Sequence, residues 1–153
     1  MSKTIVINKK AKHDYIIVES FEAGLVLTGT EVKSLREQGP SLTEAFVEIK
    51  ETNGRLLATL RQLSIPHYSH GNQFNHEPAR ARILLLHKKE IHTLYGNIIR
   101  KGYTAIPLSL YYKNGLVKVS IGLCKGKSHQ DRREDLKKKD ADREMEKAMK
   151  KYR

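Results

Sequence analysis

Apolar and polar residues alternate through "LVKVSIGLCK" (residues 116–125), the period of two that a half-buried β-strand requires. The preceding "YTAIPLSLYYK" (103–113) is rich in β-branched and aromatic residues, and Asn114-Gly115 between the two is a strong hairpin signal. Pro107 has no amide donor, so its strand is expected at an edge or with a bulge. A second hairpin is predicted from "FVEIKE" (46–51) and "RLLATLRQLSI" (55–65) around "TNG" (52–54). A long strand is predicted over "DYIIVESFEAGLVL" (14–27), with Gly24 marking a bulge or bend, and a short one over "ILLLH" (83–87). Two stretches change period. "TGTEVKSLREQGP" (28–40) opens with Thr28 and Glu31 at capping-box spacing and stops at Gly39-Pro40. "KKEIHTLYGNIIRKG" (88–102) sets Ile91, Leu94, Tyr95, Ile98 and Ile99 on one helical face, with Arg100 and Lys101 in the last turn and Gly102 as C-cap.

About six antiparallel strands and two helices, without a βαβ rhythm, predict a mainly β fold: a small antiparallel OB-like β-barrel with two flanking helices and a basic C-terminal tail. The expected division is 1–125 for the barrel and 126–153 for the tail. Within the tail, Asp131 and Glu134 have capping-box spacing, and Ala141, Met145, Ala148 and Tyr152 share one helical face. An isolated helix of this length is marginal in water, so the tail is expected to be disordered when free and helical against a surface.

Charge sharpens this picture. Lys and Arg outnumber Asp and Glu by 29 to 17. The excess is +7 over residues 1–124 and +5 over the remainder, so it does not belong to the tail alone. A polyanion, nucleic acid above all, is the partner such a balance implies; a basic protein without one is the alternative. The single cysteine, Cys124, excludes an internal disulfide and a cysteine-rich zinc site. Neither a secretory signal nor an apolar run of membrane-spanning length is present, which implies a cytoplasmic protein without membrane contact.

Candidate contacts are spread along the chain. "NKKAKHDY" packs Asn8, Lys9, Lys10, Lys12, His13 and Tyr15 together: lysines for phosphates, His and Tyr for stacking on unpaired bases, or else a solvated terminus. The polar loop at 66–82 offers Asn72, Asn75, His76, Arg80 and Arg82 in the same way, or is an ordinary polar loop. Lys118 points outward from a strand whose inward residues are Val117, Val119 and Ile121. Leu85 reads as a core residue. His67, His70 and His76 match no metal-ligand spacing, and no metal or other cofactor is expected. No G-x-G-x-x-G, P-loop, G-x-S-x-G or H-E-x-x-H occurs, so a binding protein is favoured over an enzyme acting on RNA. A general single-strand binder is disfavoured by the absence of Trp and the presence of only three Phe.

Several long segments resemble the small protein B family, the SsrA-binding proteins of bacterial trans-translation. The resemblance is carried by "NKKAKHDY", "FEAGLVLTGTEVKSLR", "NHEPARARILLLHKKEI", "LYGNIIRKGYTAIPLSLYYKNGLVKVSIGLCKGK" and Asp131-Arg132-Arg133. It implies an OB-like barrel that binds the tRNA-like domain of transfer-messenger RNA (SsrA RNA). It also implies a tail that enters the small-subunit decoding centre and the empty mRNA channel of a stalled 70S ribosome. The protein would act as a monomer without covalent chemistry. By this resemblance Asn8, Glu22 and Leu85 match RNA-binding positions, and Asp131, Arg132 and Arg133 match the functional tail triplet. Lys127, Met145 and Met149 fall in the same ribosome-directed tail. Ser128 departs from the basic residue usual there. Gln130 stands where some members have His or Tyr, with His129 one residue earlier, so either is a candidate for the decoding-centre contact.

Overall fold

The structure is a computed structural model that describes residues 2–71 and 75–126. In chain order the elements are β1 (Ser2–Ile7), α1 (Lys9–Asp14), β2 (Tyr15–Leu25), α2 (Gly29–Glu37), β3 (Phe46–Thr52), β4 (Arg55–Arg61), β5 (Arg82–Leu85), α3 (Lys88–Lys101), β6 (Thr104–Lys113) and β7 (Leu116–Gly126). All strand pairs are antiparallel, in the order β1-β6-β7-β2-β5-β4-β3. The mainly β class expected from the pattern is the one observed. The sheet is not closed by a ladder: β1 and β3 stand at its two ends, and β3 packs against β6 across the curl.

The turns follow their residues. Asn53-Gly54 (φ 51° and 76°) and Asn114-Gly115 (φ 53° and 78°) supply the two positive dihedrals of tight hairpins that match the strand twist. Thr28 Oγ1 accepts from Glu31 N, and Glu31 Oε1 accepts from Thr28 N at 2.9 Å, completing the predicted capping box. Gly102 ends α3 in the left-handed region, as its place in the sequence indicates.

Two expectations change: the number of elements and the place of the irregularity in β2. Residues 2–14 hold β1 and α1, giving seven strands and three helices among the described residues. β1 is held by pairing with β6 rather than by a distinctive pattern of its own. Of the two placements expected for Pro107, the bulge is the one observed: β6 lies between β1 and β7, and the register shift between Pro107 and Ser109 absorbs the missing donor. The irregularity in β2 falls between Ile17 and Glu19, not at Gly24. Cys124 is fully buried with Ala11 and Ile106 in a small second cluster, and burial pushes its thiol up to about 11. The main core joins the inward residues of the sheet, among them Phe21, Leu60, Leu110, Val119 and Ile121, to Leu35 of α2 and Ile91 and Leu94 of α3.

Candidate nucleic-acid interface

Register builds the site. Leu85 pairs with Gly24, Gly24 with Lys118, Lys118 with Tyr111, and Tyr111 with Thr4, forming one row across five strands. The next row runs Glu22, Ser120, Ser109, Ile7. Because side chains alternate along a strand, both rows share the sheet's outer face. Three residues far apart in sequence, Glu22, Leu85 and Lys118, thus meet on one surface. Leu85, which reads as core within "ILLLH", is 61% exposed; Leu84 takes the inward place. A cleft of about 520 Å³ lies beside it, lined by Leu57, Ile83, Lys88 and His92 among others.

Glu22 is held in place from β6. Tyr111 donates its hydroxyl proton to Glu22 Oε2 at 2.5 Å, and Lys113 Nζ lies 3.2 Å from Oε1. These bonds hold the Glu22 carboxyl below the usual carboxylate range, while partial burial and the same carboxylate push the Tyr111 phenol up. A carboxylate fixed this way, with Lys118 nearby, offers acceptors for base amino groups or 2′-hydroxyls inside a cationic surround. Neither Tyr111 nor Lys113 is singled out by the sequence reading. Their period-two placement after Ser109 in "SLYYK" was the available signal.

The second row ends at Ile7, and Asn8 follows. Asn8 is buried, and its side chain is committed to the chain itself. Nδ2 donates to the Pro107 carbonyl at 2.9 Å, and Oδ1 accepts from Ala11 N as the cap of α1. Both polar atoms of its side chain are thus engaged within the fold. Lys9, Lys10, Lys12 and His13 are exposed on α1, Tyr15 is half-buried, and His13 Nδ1 sits 2.9 Å from Asp14.

The described parts of the 62–81 connection are organised from within. Asn75 accepts from Tyr68 N and donates to Tyr68 O. His76 is buried, with Nε2 donating to the Ile65 carbonyl and Nδ1 paired with Thr30 Oγ1. Arg82 has no exposed side-chain surface. It pairs with Glu31 and donates to the carbonyls of Leu63 and Pro78. These three are supports of the fold, since their polar atoms are consumed inside it. Arg80 is partly exposed and shares Glu31 with Arg82. Burial pushes the Glu31 carboxyl up, but the Arg80 guanidinium, the Thr28 amide and Arg82 outweigh it and hold it below 4.5. Lys127, His129, Gln130, Asp131, Arg132, Arg133, Met145, Met149 and Asn72 lie outside the described residues. Among the described residues no group of three or more His, Cys, Asp or Glu is placed to hold a metal ion, and no helix is long and apolar enough to cross a membrane.

A curled antiparallel sheet whose outer face carries lysine, phenol, carboxylate and aliphatic groups in registered rows belongs to the class of β-sheet nucleic-acid-binding modules. The comparisons with known proteins narrow that class. The family model "SmpB protein" matches residues 5–151. The SsrA-binding protein of Shouchella clausii (strain KSM-K16) is 54% identical over 148 residues, covering 97% of this chain and 92% of the relative. That of Geobacter sulfurreducens is 54% identical over 147 residues, covering 96% and 94%. A solved structure described as "tmRNA-SmpB: a journey to the center of the bacterial ribosome" superposes with TM-score 0.64 at 40% identity, covering 86% of this chain and 93% of that one. The chain belongs to the SmpB family.

Proposed function

We propose that this protein binds the tRNA-like domain of transfer-messenger RNA and delivers it to stalled 70S ribosomes in trans-translation. The observation that carries the reading is the union of Glu22, Lys118 and Leu85 on one outer sheet face, with α1's lysines at its end. The SmpB family membership and the relatives named for SsrA binding support the same partner. Lys9, Lys10, Lys12 and Lys118 supply phosphate contacts, Glu22 accepts hydrogen bonds, and Leu85 with its cleft takes an apolar base or sugar surface. Asn8 and Arg82 keep the two ends of this surface in place. Residues 126–153 form the segment directed to the decoding centre and mRNA channel, through the Asp131-Arg132-Arg133 triplet and the Met145 face. The protein acts by binding alone, as a monomer in the cytoplasm.

Recovering the RNA that copurifies from the protein's own cells tests the partner: one structured species supports it, and a random pool rejects it. Salt titration tests the residues. Log affinity falls with log salt by about 0.7–0.9 for each neutralised phosphate. Lys9→Ala with Lys10→Ala is expected to make that slope shallower. Glu22→Gln is expected to lose affinity at an unchanged slope.

A further inference from the structure

We infer that Ser120 and Ser109, in line with Glu22, read the ribose edge of the bound strand and set the protein's preference for RNA over DNA. This rests on the outer sheet face being the transfer-messenger RNA site, and it names what that face recognises. Register puts the three residues side by side: Glu22 on β2 pairs with Ser120 on β7, Ser120 with Ser109 on β6, and Ser109 with Ile7 on β1. Neighbouring strands lie about 4.8 Å apart, so the row offers one polar group per step over about 10 Å. Ile7, 55% exposed, ends it with an apolar contact.

The fold does not use these hydroxyls. Ser109 and Ser120 are half-buried, and neither makes a side-chain hydrogen bond among the described residues. Both stand on interior strands, where opposed β-branched residues would support the ladder better. A choice that does nothing for the sheet is expected where a ligand is met. Glu22 keeps capacity as well. Its Oε2 accepts from Tyr111 and lies 3.3 Å from Lys113 Nζ, whereas Oε1 has Lys113 alone. An ionised carboxylate has about four acceptor sites, so Oε1 retains a free one. The Glu22 side chain is 42% exposed, enough for a ligand to reach it.

The chemistry of the row selects the group it meets. A phosphate only accepts, so it goes to the lysines and is repelled at Glu22. A base amino group only donates, so it would satisfy Glu22 and leave the serine protons unused. A 2′-hydroxyl is donor and acceptor at once: it donates to Glu22 Oε1 and accepts from the Ser120 hydroxyl, with Ser109 next in line for the neighbouring sugar. Position agrees with this. Lys118 stands two residues to one side of Ser120 on β7, and α1 packs over Cys124 on the other side. A strand whose phosphates are held by Lys118 and the α1 lysines therefore presents its sugars between them. Serine is short enough to leave the sugar room there. A deoxyribose leaves the row unpaired, and that loss is the discrimination.

The test uses the full chain, native and as Ser109→Ala/Ser120→Ala and Ser120→Thr. Each is mixed with tRNA-like-domain transcripts carrying 2′-deoxynucleotides at random, and bound and free transcripts are compared position by position. The native chain is expected to exclude transcripts that are deoxy at a small set of positions. The double variant is expected to lose that exclusion and to bind the all-ribose transcript about tenfold more weakly, at an unchanged salt slope and an unchanged melting temperature. Ser120→Thr keeps the hydroxyl and is expected to keep the exclusion. If the native chain binds but excludes no position, the inference is overturned while the RNA partner stands. An unchanged exclusion pattern in the double variant also overturns it, whatever the affinity, because the serines then serve only the sheet. So does a double variant that stops distinguishing inosine from guanosine yet still excludes deoxyribose, since the row then meets a base edge. A native chain that does not retain the tRNA-like transcript at all rejects the partner and this inference with it.

Discussion

Tyr111 reaches across β7 to donate a 2.5 Å hydrogen bond to Glu22, although 89 residues separate the two in sequence. The bond fixes which way the carboxylate points on an otherwise solvated sheet face. Tyr111→Phe is therefore expected to weaken transfer-messenger RNA binding several-fold, by about 0.5–1.5 kcal/mol. Because the pair is exposed, folding stability is expected to change by less than about 1 kcal/mol. An NMR titration of Glu22 in this variant should show its carboxyl returning toward 4.5, since the largest cause of the depression has been removed. A Glu22 titration indistinguishable from the native protein's rejects the assigned role of Tyr111.

Gly24 lies directly beneath Leu85, with room for an added Cβ at 3.4 Å from the leucine Cβ but for little more. Gly24→Ala is expected to bind RNA as the native chain does. Gly24→Val must push Leu85 off its place and is expected to lose RNA affinity as Leu85→Ala does. Leu85→Ala itself is expected to cost no more than about 0.5 kcal/mol of stability, because the side chain is outside the core. Urea melts beside binding curves separate the two effects.

The Glu31–Arg82 pair is a structural lock and responds to acid. Glu31 is fully buried and serves at once as capping-box acceptor for α2 and as partner of two arginines. Its folded carboxyl is held below 4.5, so the unfolded chain takes up a proton first as pH falls. The stability it contributes is complete above that value and is lost as pH drops through the folded one. Urea midpoints are expected to fall steeply below pH 4.5 in the native chain and less steeply in Glu31→Gln. At neutral pH that substitution is expected to cost roughly 3–5 kcal/mol, since it leaves buried guanidinium charge without its counter-ion. Equal midpoints at neutral pH would remove the lock.

The barrel and the tail are expected to separate in function. A chain ending at Gly126 retains every residue of the core clusters and is expected to melt and bind transfer-messenger RNA like the native protein. It is expected to fail in tagging stalled peptides in a reconstituted translation system. In the full chain, Ala141→Pro keeps the charge but removes a helix hydrogen bond, at about 3 kcal/mol or more in a helix. Normal RNA binding with lost tagging supports a helical probe, whereas undiminished tagging makes the tail an electrostatic tether.

Local chemistry was legible in the sequence wherever one short segment decides its own conformation. Asn114-Gly115, the Thr28–Glu31 box and the Ile91–Leu94–Ile98 stripe each name an element without outside help. β1 and α1 were not legible, because α1 buries only Ala11 and owes its place to Asn8 reaching the Pro107 carbonyl, 99 residues away. Leu85 was hidden inside three consecutive leucines, where composition says core and only register says surface. The inward turn of Arg82 and His76 depends on Glu31, Ile65 and Thr30, partners that no spacing rule connects. The outer row was half legible: alternation places Lys118 outward, but only strand order brings it beside Leu85 and Tyr111.

β7, from which the C-terminal segment leaves, is an interior strand laddered to β2 on one side and β6 on the other up to its last residues, with Gly126 opposite Tyr15 and Cys124 opposite Thr104. A tension applied through that segment along the strand axis therefore loads both ladders in shear, so many hydrogen bonds must yield together before the strand slides. Had the segment left from an outermost strand and been pulled sideways, the bonds would break in succession, as in a zipper. The attachment is thus mechanically stiff at its root: a tail gripped at its far end would drag the whole sheet, with whatever RNA lies on its outer face, as one body.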